Sequence, residues 1–232
     1  MRAALVKVRR FLSRDYGTAA AIAVFYTVGV FGHFWSFTRG YMLLLTPWFL
    51  LVAGLVVAVP YWRQTGAAGR IWVVLTYLVT FFLEALGVAT GAVFGAYEYG
   101  TVLGFHLFGV PMIIGFNWVL VILGFLRGSQ HLFIRSRVAE GRAVRIILSV
   151  SSVLVPAAAA LLFDYIMEPV AIRLDYWTWA AGYIPLQNYA AWFLIALGAS
   201  VFFRLLRITF SSMLPLYYVL IQILFFLGLH LM

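Results

Sequence analysis

Glu84 stands inside an apolar stretch and is followed by glycines at 87, 91 and 95 and tyrosines at 97 and 99. Further along, "LLFDYIMEPVA" places Asp164 and Glu168 four positions apart, a spacing that puts two side chains on one face of a helix. A carboxylic acid at bilayer depth is costly, so it usually faces the bundle interior or a polar cavity and marks a pathway or a reaction site. Desolvation disfavours the charged form, so acids placed there tend to hold a proton. Such acids can deliver a proton to a substrate and take one from water. The bland readings are a hydrogen-bonding acid between helices for Glu84, and interfacial acids at a helix end closed by Pro169 for the pair.

Gly87-x-x-x-Gly91 and Gly91-x-x-x-Gly95 follow the small-xxx-small pattern by which membrane helices approach closely. Packing alone explains that pattern, but beside Glu84 it also leaves a narrow slot along the third helix. Residues 92–107, with Phe94 and Gly95, hold too many glycines for a simple helix through lipid. They read as an outer-side or re-entrant segment, tolerated where protein or water covers the backbone. Residues 166–187 form a second such segment, and "DYWTWAAGYIPLQNYAAWF" runs from it into the sixth helix. An interfacial aromatic belt accounts for Trp35 and Tyr41. It accounts less well for Trp177, Trp179 and Trp192 interleaved with Asp175, Pro185 and Asn188. Aromatic faces stabilise a cation where water is scarce, so protonated acids with such walls suit acid-catalysed chemistry on an alkene.

Elements able to hold these residues must be membrane helices. Hydrophobic residues make up 65% of 232 positions and charged residues only 10%, which excludes an ordinary soluble domain. Seven apolar runs of spanning length fall near 17–37, 41–60, 70–91, 108–126, 143–165, 188–206 and 213–231, each close to the ~20 residues a bilayer core demands. The fold class is therefore all-α: a polytopic membrane helix bundle in one integral membrane domain spanning 1–232, preceded by a basic segment at 1–16. The N-terminal run lacks a small-residue cleavage site, so it reads as a span rather than a removable signal.

Fourteen of the sixteen Lys and Arg residues fall on one side of this topology, against Arg39 and Arg173 on the other. The positive-inside rule then places the N-terminus in the cytoplasm and the C-terminus outside. This placement makes the +9 net charge a topology signal, not a nucleic-acid one. Five of the seven acids, Glu84, Glu98, Asp164, Glu168 and Asp175, share the opposite, outer end.

Several chemistries lack their residues. The chain has no cysteine, hence no thiolate nucleophile or Cys-ligated metal. Lys7 is its only lysine and lies in the tail, which removes a retinal-type Schiff base. The four histidines, His33, His106, His131 and His230, show no H-x-x-x-H pairing, and neither a P-loop nor a nucleophile elbow is present. A transporter using Glu84, Asp164 and Glu168 as a proton or cation path remains open, although the inner halves of the helices carry no further acids. The same acids would also serve a cyclase or isomerase, and the aromatic walls a binding protein without catalysis.

Taken together, "ExxGxxTGxxFGxYxY" (Glu84 to Tyr99), the "LG…GVP" of Leu103–Pro111 and "D…EPVA…YWTWAAGYIPLQNYAAWF" resemble the multi-span carotenoid-biosynthesis family, which includes the acyclic carotenoid 1′,2′-hydratases. The likeness covers roughly residues 70–206. Val93 stands where the family often has proline, and Ala191 where it often has glycine. The resemblance implies proton addition to C2′ of a ψ-end group and capture of the C1′ cation by water, without a cofactor or metal. Asp164 and Glu84 are the expected proton donor and water-handling group in either order, with Glu168 next. Phe94, Tyr97, Tyr99, Trp177, Trp179 and Trp192, with Gly91 and Gly95, would line the substrate site, and Asn188 would hold the water. The implied partners are a lipophilic carotenoid drawn from the bilayer, membrane lipid and other carotenoid-pathway enzymes, in a bacterial or archaeal cytoplasmic membrane.

Overall fold

The computed structural model describes residues 2–232, with side chains from Arg14 onward. The side chains of Arg2, Lys7, Arg9 and Arg10, part of the basic N-terminal cluster, lie outside the described residues. The chain forms α1 (Arg2–Phe34), α2 (Ser36–Gln64), α3 (Gly66–Thr90), α4 (Met112–Val138), α5 (Arg142–Arg173), α6 (Leu186–Leu205) and α7 (Leu214–Leu229). Four short strands interrupt this order: β1 (Tyr97–Tyr99), β2 (His106–Leu107), β3 (Val110–Pro111) and β4 (Trp177–Trp179). Among the described residues six helices are long and apolar enough to cross a membrane, which marks an integral membrane protein. The seventh, α7, has 16 residues, short of the ~20 that a full crossing needs.

Most span boundaries fall within a few residues of the apolar runs, but α1 begins at Arg2 instead of 17 and α4 runs past 126 to Val138; two other departures have local causes. The fourth run was expected from 108, but Phe108 and Gly109 both have positive φ (54° and 77°). They form the two-residue turn of the β2–β3 hairpin, the geometry favoured in tight hairpins, so α4 begins at Met112. The fifth helix passes through Pro169 and ends at Arg173, carrying Glu168 inside the helix. A proline in a membrane helix removes one backbone bond that neighbouring helices can make good, and Pro47, Pro60 and Pro156 also lie inside helices. Thus 166–173, expected to leave the bundle, belongs to α5.

α4 is the most enclosed span and α2 the least. The main apolar core joins α3, α4, α5 and α6 with the β1 and β4 segments. A smaller core around Tyr26, Val57, Leu120 and Tyr218 ties α1, α2, α4 and α7. Most of the described arginines lie at one end of the bundle. There Arg204 is buried, with Nη2 donating to Ser129 Oγ at 2.8 Å and its guanidinium 4.7 Å from the centre of the Phe133 ring. At the same end Asp15 accepts hydrogen bonds from Ser212 Oγ (2.9 Å) and the Met213 N–H (2.7 Å). The acidic end is closed by the loops after α3 and α5.

α3 stops at Gly91, which adopts φ 68° and ψ 2° and donates its N–H to Gly87 O at 2.7 Å, a left-handed cap that favours glycine. The chain then enters β1, which pairs antiparallel with β4 in the register Tyr97↔Trp179, Glu98↔Thr178, Tyr99↔Trp177. Backbone bonds extend the ladder at both ends, from Ala180 N–H to Ala96 O (3.0 Å) and from Gly100 N–H to Tyr176 O (2.9 Å). Successive strand residues point to opposite faces. Glu98 and Thr178 are exposed, while Tyr97, Trp177 and Trp179 are buried and Tyr99 is partly buried.

Candidate active site

The inward face of this ladder holds two acids side by side. Tyr97 donates its hydroxyl to Glu84 Oε2, and Tyr99 donates to the same oxygen at 2.8 Å. The other oxygen, Oε1, accepts the Trp118 indole N–H at 2.7 Å. From the facing strand, Trp177 and Trp179 donate their indole N–H groups to Glu168 Oε2 at 3.0 and 3.1 Å. Each strand therefore uses its i, i+2 aromatic pair to grip one acid, and the register sets Glu84 of α3 beside Glu168 of α5.

The third acid lies behind the second. Asn188 of α6 donates its side-chain amide to Asp164 Oδ2 at 2.8 Å and to Glu168 Oε1 at 3.2 Å, so one amide ties both acids of α5. Asp164 is fully buried, and its Oδ1 has no hydrogen-bond partner among the described residues. All other bonds to the three acids come from neutral N–H and O–H donors. Burial and then the adjacent Glu84 carboxyl push the Tyr97 and Tyr99 phenols well above their usual range, so both stay protonated as donors. Burial raises Tyr176, behind the ladder, to about 12.

A cavity of about 670 Å³ opens onto this site, within the size range of small-molecule pockets. Glu84, Glu168, Asn188, Phe94, Tyr97 and Tyr99 line it, as do Trp177, Trp179 and Trp192. Trp192 stacks on Trp118 with ring centres 3.6 Å apart and planes at 19°. Asp164, Gly91 and Gly95 do not line it. The glycines shape the wall instead of opening a slot along α3: a methyl group on Gly87 would come within 2.7 Å of Phe94, and one on Gly95 within 2.6 Å of Pro185. The exposed part of the cavity lining lies along α1 and α2, at Phe25, Leu45, Trp48 and Val52.

Three wall residues have no counterpart among the residues expected from sequence. Trp118 completes the shell around Glu84, and Asn117 and Gln222 present Oδ1 and Oε1 atoms that are buried and unpartnered among the described residues. A signal existed for each, because an indole N–H or a side-chain amide in the middle of an apolar span needs a partner. The histidines at the acidic end are separate from one another: ring nitrogens of His33, His106 and His230 meet the backbone carbonyls of Gly29 (2.7 Å), Gly100 (3.1 Å) and Ile166 (2.8 Å).

The chain belongs to the carotenoid biosynthesis protein family, whose sequence pattern matches residues 45–232. It is also similar to a bisanhydrobacterioruberin hydratase from Haloarcula japonica, with 28% identity over 165 residues that cover 66% of this chain and 52% of that protein. The chain thus spans about half the length of the curated relative it matches. No solved structure matches it.

Proposed function

We propose that this member of the carotenoid biosynthesis family adds water across the terminal C1′=C2′ double bond of an acyclic carotenoid, giving a 1′-hydroxy carotenoid. The observation that carries the reading is the pair Glu84 and Glu168, set side by side on an apolar cavity and held only by neutral donors. Asp164 stands directly behind Glu168. Asp164 and Glu168 lie one helical turn apart and share the Asn188 amide, and two carboxyls so placed do not both ionise readily. The pair retains a proton, and Glu168 is its member on the cavity.

Glu168 gives that proton to C2′ as the C1′=C2′ π pair forms the new C–H bond, leaving a tertiary cation at C1′. Trp192, Tyr97 and the ladder indoles face this charge. Water adds its lone pair to C1′, and Glu84 takes the released proton. Glu84 suits that role because its two oxygens offer about four acceptor sites and three are taken, which leaves one for the water proton. The Asn188 amide is spent on the two α5 acids. Asn117 and Gln222, whose free oxygens accept hydrogen bonds on the same wall, are the better holders for the incoming water. Transfer of that proton from Glu84 to the neighbouring Glu168 restores both acids, and the overall reaction is redox-neutral and consumes only water.

Charge asymmetry supports an orientation with the arginine end and N-terminus in the cytoplasm and the C-terminus outside, in a bacterial or archaeal cytoplasmic membrane. Substrate then arrives from the bilayer, and enzymes that build acyclic end groups or consume hydroxylated ones are the expected partners. The test is expression in a bacterium that accumulates an acyclic carotenoid, with extracted pigment weighed by mass spectrometry. A product heavier by one water is expected from the wild type, with conversion by E84Q and E168Q reduced by about a hundredfold or more at equal membrane levels. Altered pigment of unchanged mass would replace hydration by cyclisation or isomerisation, and unaltered pigment from lycopene-type, γ-carotene-type and bisanhydrobacterioruberin-type precursors alike would overturn the reading.

A further inference from the structure

The cavity does not end at the acids. Its wall on α1 recurs at Thr18, Ile22, Phe25, Gly29 and His33, and its wall on α2 at Met42, Leu45, Phe49, Val52 and Val56. Steps of three and four residues keep each set on one helix face. Thr18 to His33 is a rise of about 22 Å at the α-helical pitch. At its far end the cavity shares Thr18 and Val56 with a second hollow of about 430 Å³ that reaches Arg14, Arg63 and Gln64 at the arginine end. The two hollows adjoin at Thr18 and Val56 and follow the seam of α1 and α2. Phe25, Leu45, Val52 and Val56 on its rim are each at least two-fifths exposed, so in a bilayer the seam opens sideways onto lipid.

A conjugated polyene is a rigid rod that cannot coil into a compact pocket, and a groove of this shape takes it only lengthwise. We propose that the groove holds the substrate lengthwise: an acyclic polyene of full carotenoid length, extended parallel to α1 and α2. Its reactive end group lies at Glu84 and Glu168, and its opposite end lies beside Arg14, Arg63 and Gln64. This assignment rests on the hydratase reading for the identity of the reactive end. Only one end meets the acids in each binding event. A molecule with two reactive ends must leave and return reversed before the second is hydrated, and an end already carrying a hydroxyl finds polar company at the arginine end.

Two measurements test this. The first uses the wild-type protein in lipid vesicles with a polyene reactive at both ends: singly hydrated product is expected free in the membrane before doubly hydrated product forms. Doubly hydrated product appearing without that free intermediate overturns the assignment. The second narrows the neck shared by the two hollows, using V56W and, on the facing wall, T18W. Each variant competes the full-length polyene against an analogue with the same reactive end but two isoprene units fewer at the far end. The conversion ratio of full-length to short substrate is expected to fall by about tenfold or more relative to wild type. An unchanged ratio overturns the groove, and would fit a lipid acyl chain occupying the seam. If the wild type hydrates neither polyene, the proposed chemistry fails, and pigment retention by the purified protein still reads the groove: V56W should then keep the shorter polyene in preference, and equal retention of both would sink the assignment.

Discussion

Replacing Trp118 by phenylalanine removes one hydrogen-bond donor from Glu84 and leaves an aromatic ring stacked on Trp192. The indole N–H is the donor that reaches Glu84 Oε1, and tryptophan can only donate. The lost bond to a charged group is worth about 1.5–3 kcal/mol. Shrinking the ring also loses packing, so W118F alone cannot isolate the bond. Trp192, its partner at 3.6 Å, supplies the control, since its indole nitrogen has no hydrogen-bond partner among the described residues and W192F makes the same change of ring size in the same stack. W118F is expected to be less stable than W192F by about the worth of the bond, ~1.5–3 kcal/mol, measured by thermal unfolding in detergent or denaturant titration in lipid. W192F proving as costly as W118F in the unfolding assay would refute the view that Trp118 acts through Glu84, and would leave the stack as a purely packing feature.

D164N keeps the side-chain volume but removes the reserve proton behind Glu168; conversion should fall by about tenfold or more while the protein still accumulates, and undiminished conversion would show that Glu168 works alone. G91A and G95A separate conformation from crowding. At Gly91 (φ 68°) a methyl meets nothing nearer than 3.4 Å, whereas at Gly95 (φ 104°) it meets Pro185 at 2.6 Å. G91A should therefore cost about 1–2 kcal/mol, and G95A about 1–3 kcal/mol more, in the same unfolding assay. Because the chain has no cysteine, orientation can be read by single labels: Tyr183→Cys, at an exposed site at the acidic end, should react with an impermeant maleimide on intact cells. Val138→Cys, exposed at the arginine end, should react only after lysis, and the reverse pattern would invert the topology.

The spans were legible because length and hydropathy alone define them, and Asp164 with Glu168 was legible because i, i+4 survives as long as the helix does. The ladder between β1 and β4 was not. Strands of three residues carry no periodicity, and nothing local pairs Tyr-x-Tyr with Trp-x-Trp some eighty positions away. In hindsight both are i, i+2 aromatic pairs flanking an exposed polar residue, which is what a two-stranded ladder with one buried face requires. The glycines misled in a different way. Close approach between helices and tight turning both call for glycine, and only the φ values of Gly91 and Gly95 separate the second use from the first. Asn188 was legible as a site residue, yet its partners were not, because a side-chain amide can serve water or acids equally well. The walls on α1 and α2 were hidden because lipid-facing and groove-facing apolar residues look alike in a sequence.

The electrostatic character of the site bears on which rival chemistry it suits. Both arginines at the acidic end are turned to backbone carbonyls: Arg39 Nε donates to His33 O at 3.0 Å and Arg173 Nη2 to Leu229 O at 2.8 Å. Among the described residues no cationic side chain therefore pairs with Glu84, Asp164 or Glu168, which are held only by N–H and O–H dipoles. An arginine among them would fix the carboxylates as ion-pair partners and repel a developing cation. Neutral donors hold the acids in place without supplying a positive charge, and fixed dipoles and carboxylates aimed at the place where charge develops are what lowers such a barrier. A cation path through the membrane would need similar groups repeated toward the other end. There the smaller core joins Ile22, Val57, Leu120 and Leu214 across the bundle, and the nearest described acid beyond it, Asp15, is held by Ser212 and Met213. Asp15 also lines the hollow at that end, but the stretch between it and the paired acids is lined by Ile22, Phe25, Phe49 and Val52. An apolar stretch of that kind favours a reaction at the tip of a long hydrocarbon over transport of an ion along its length.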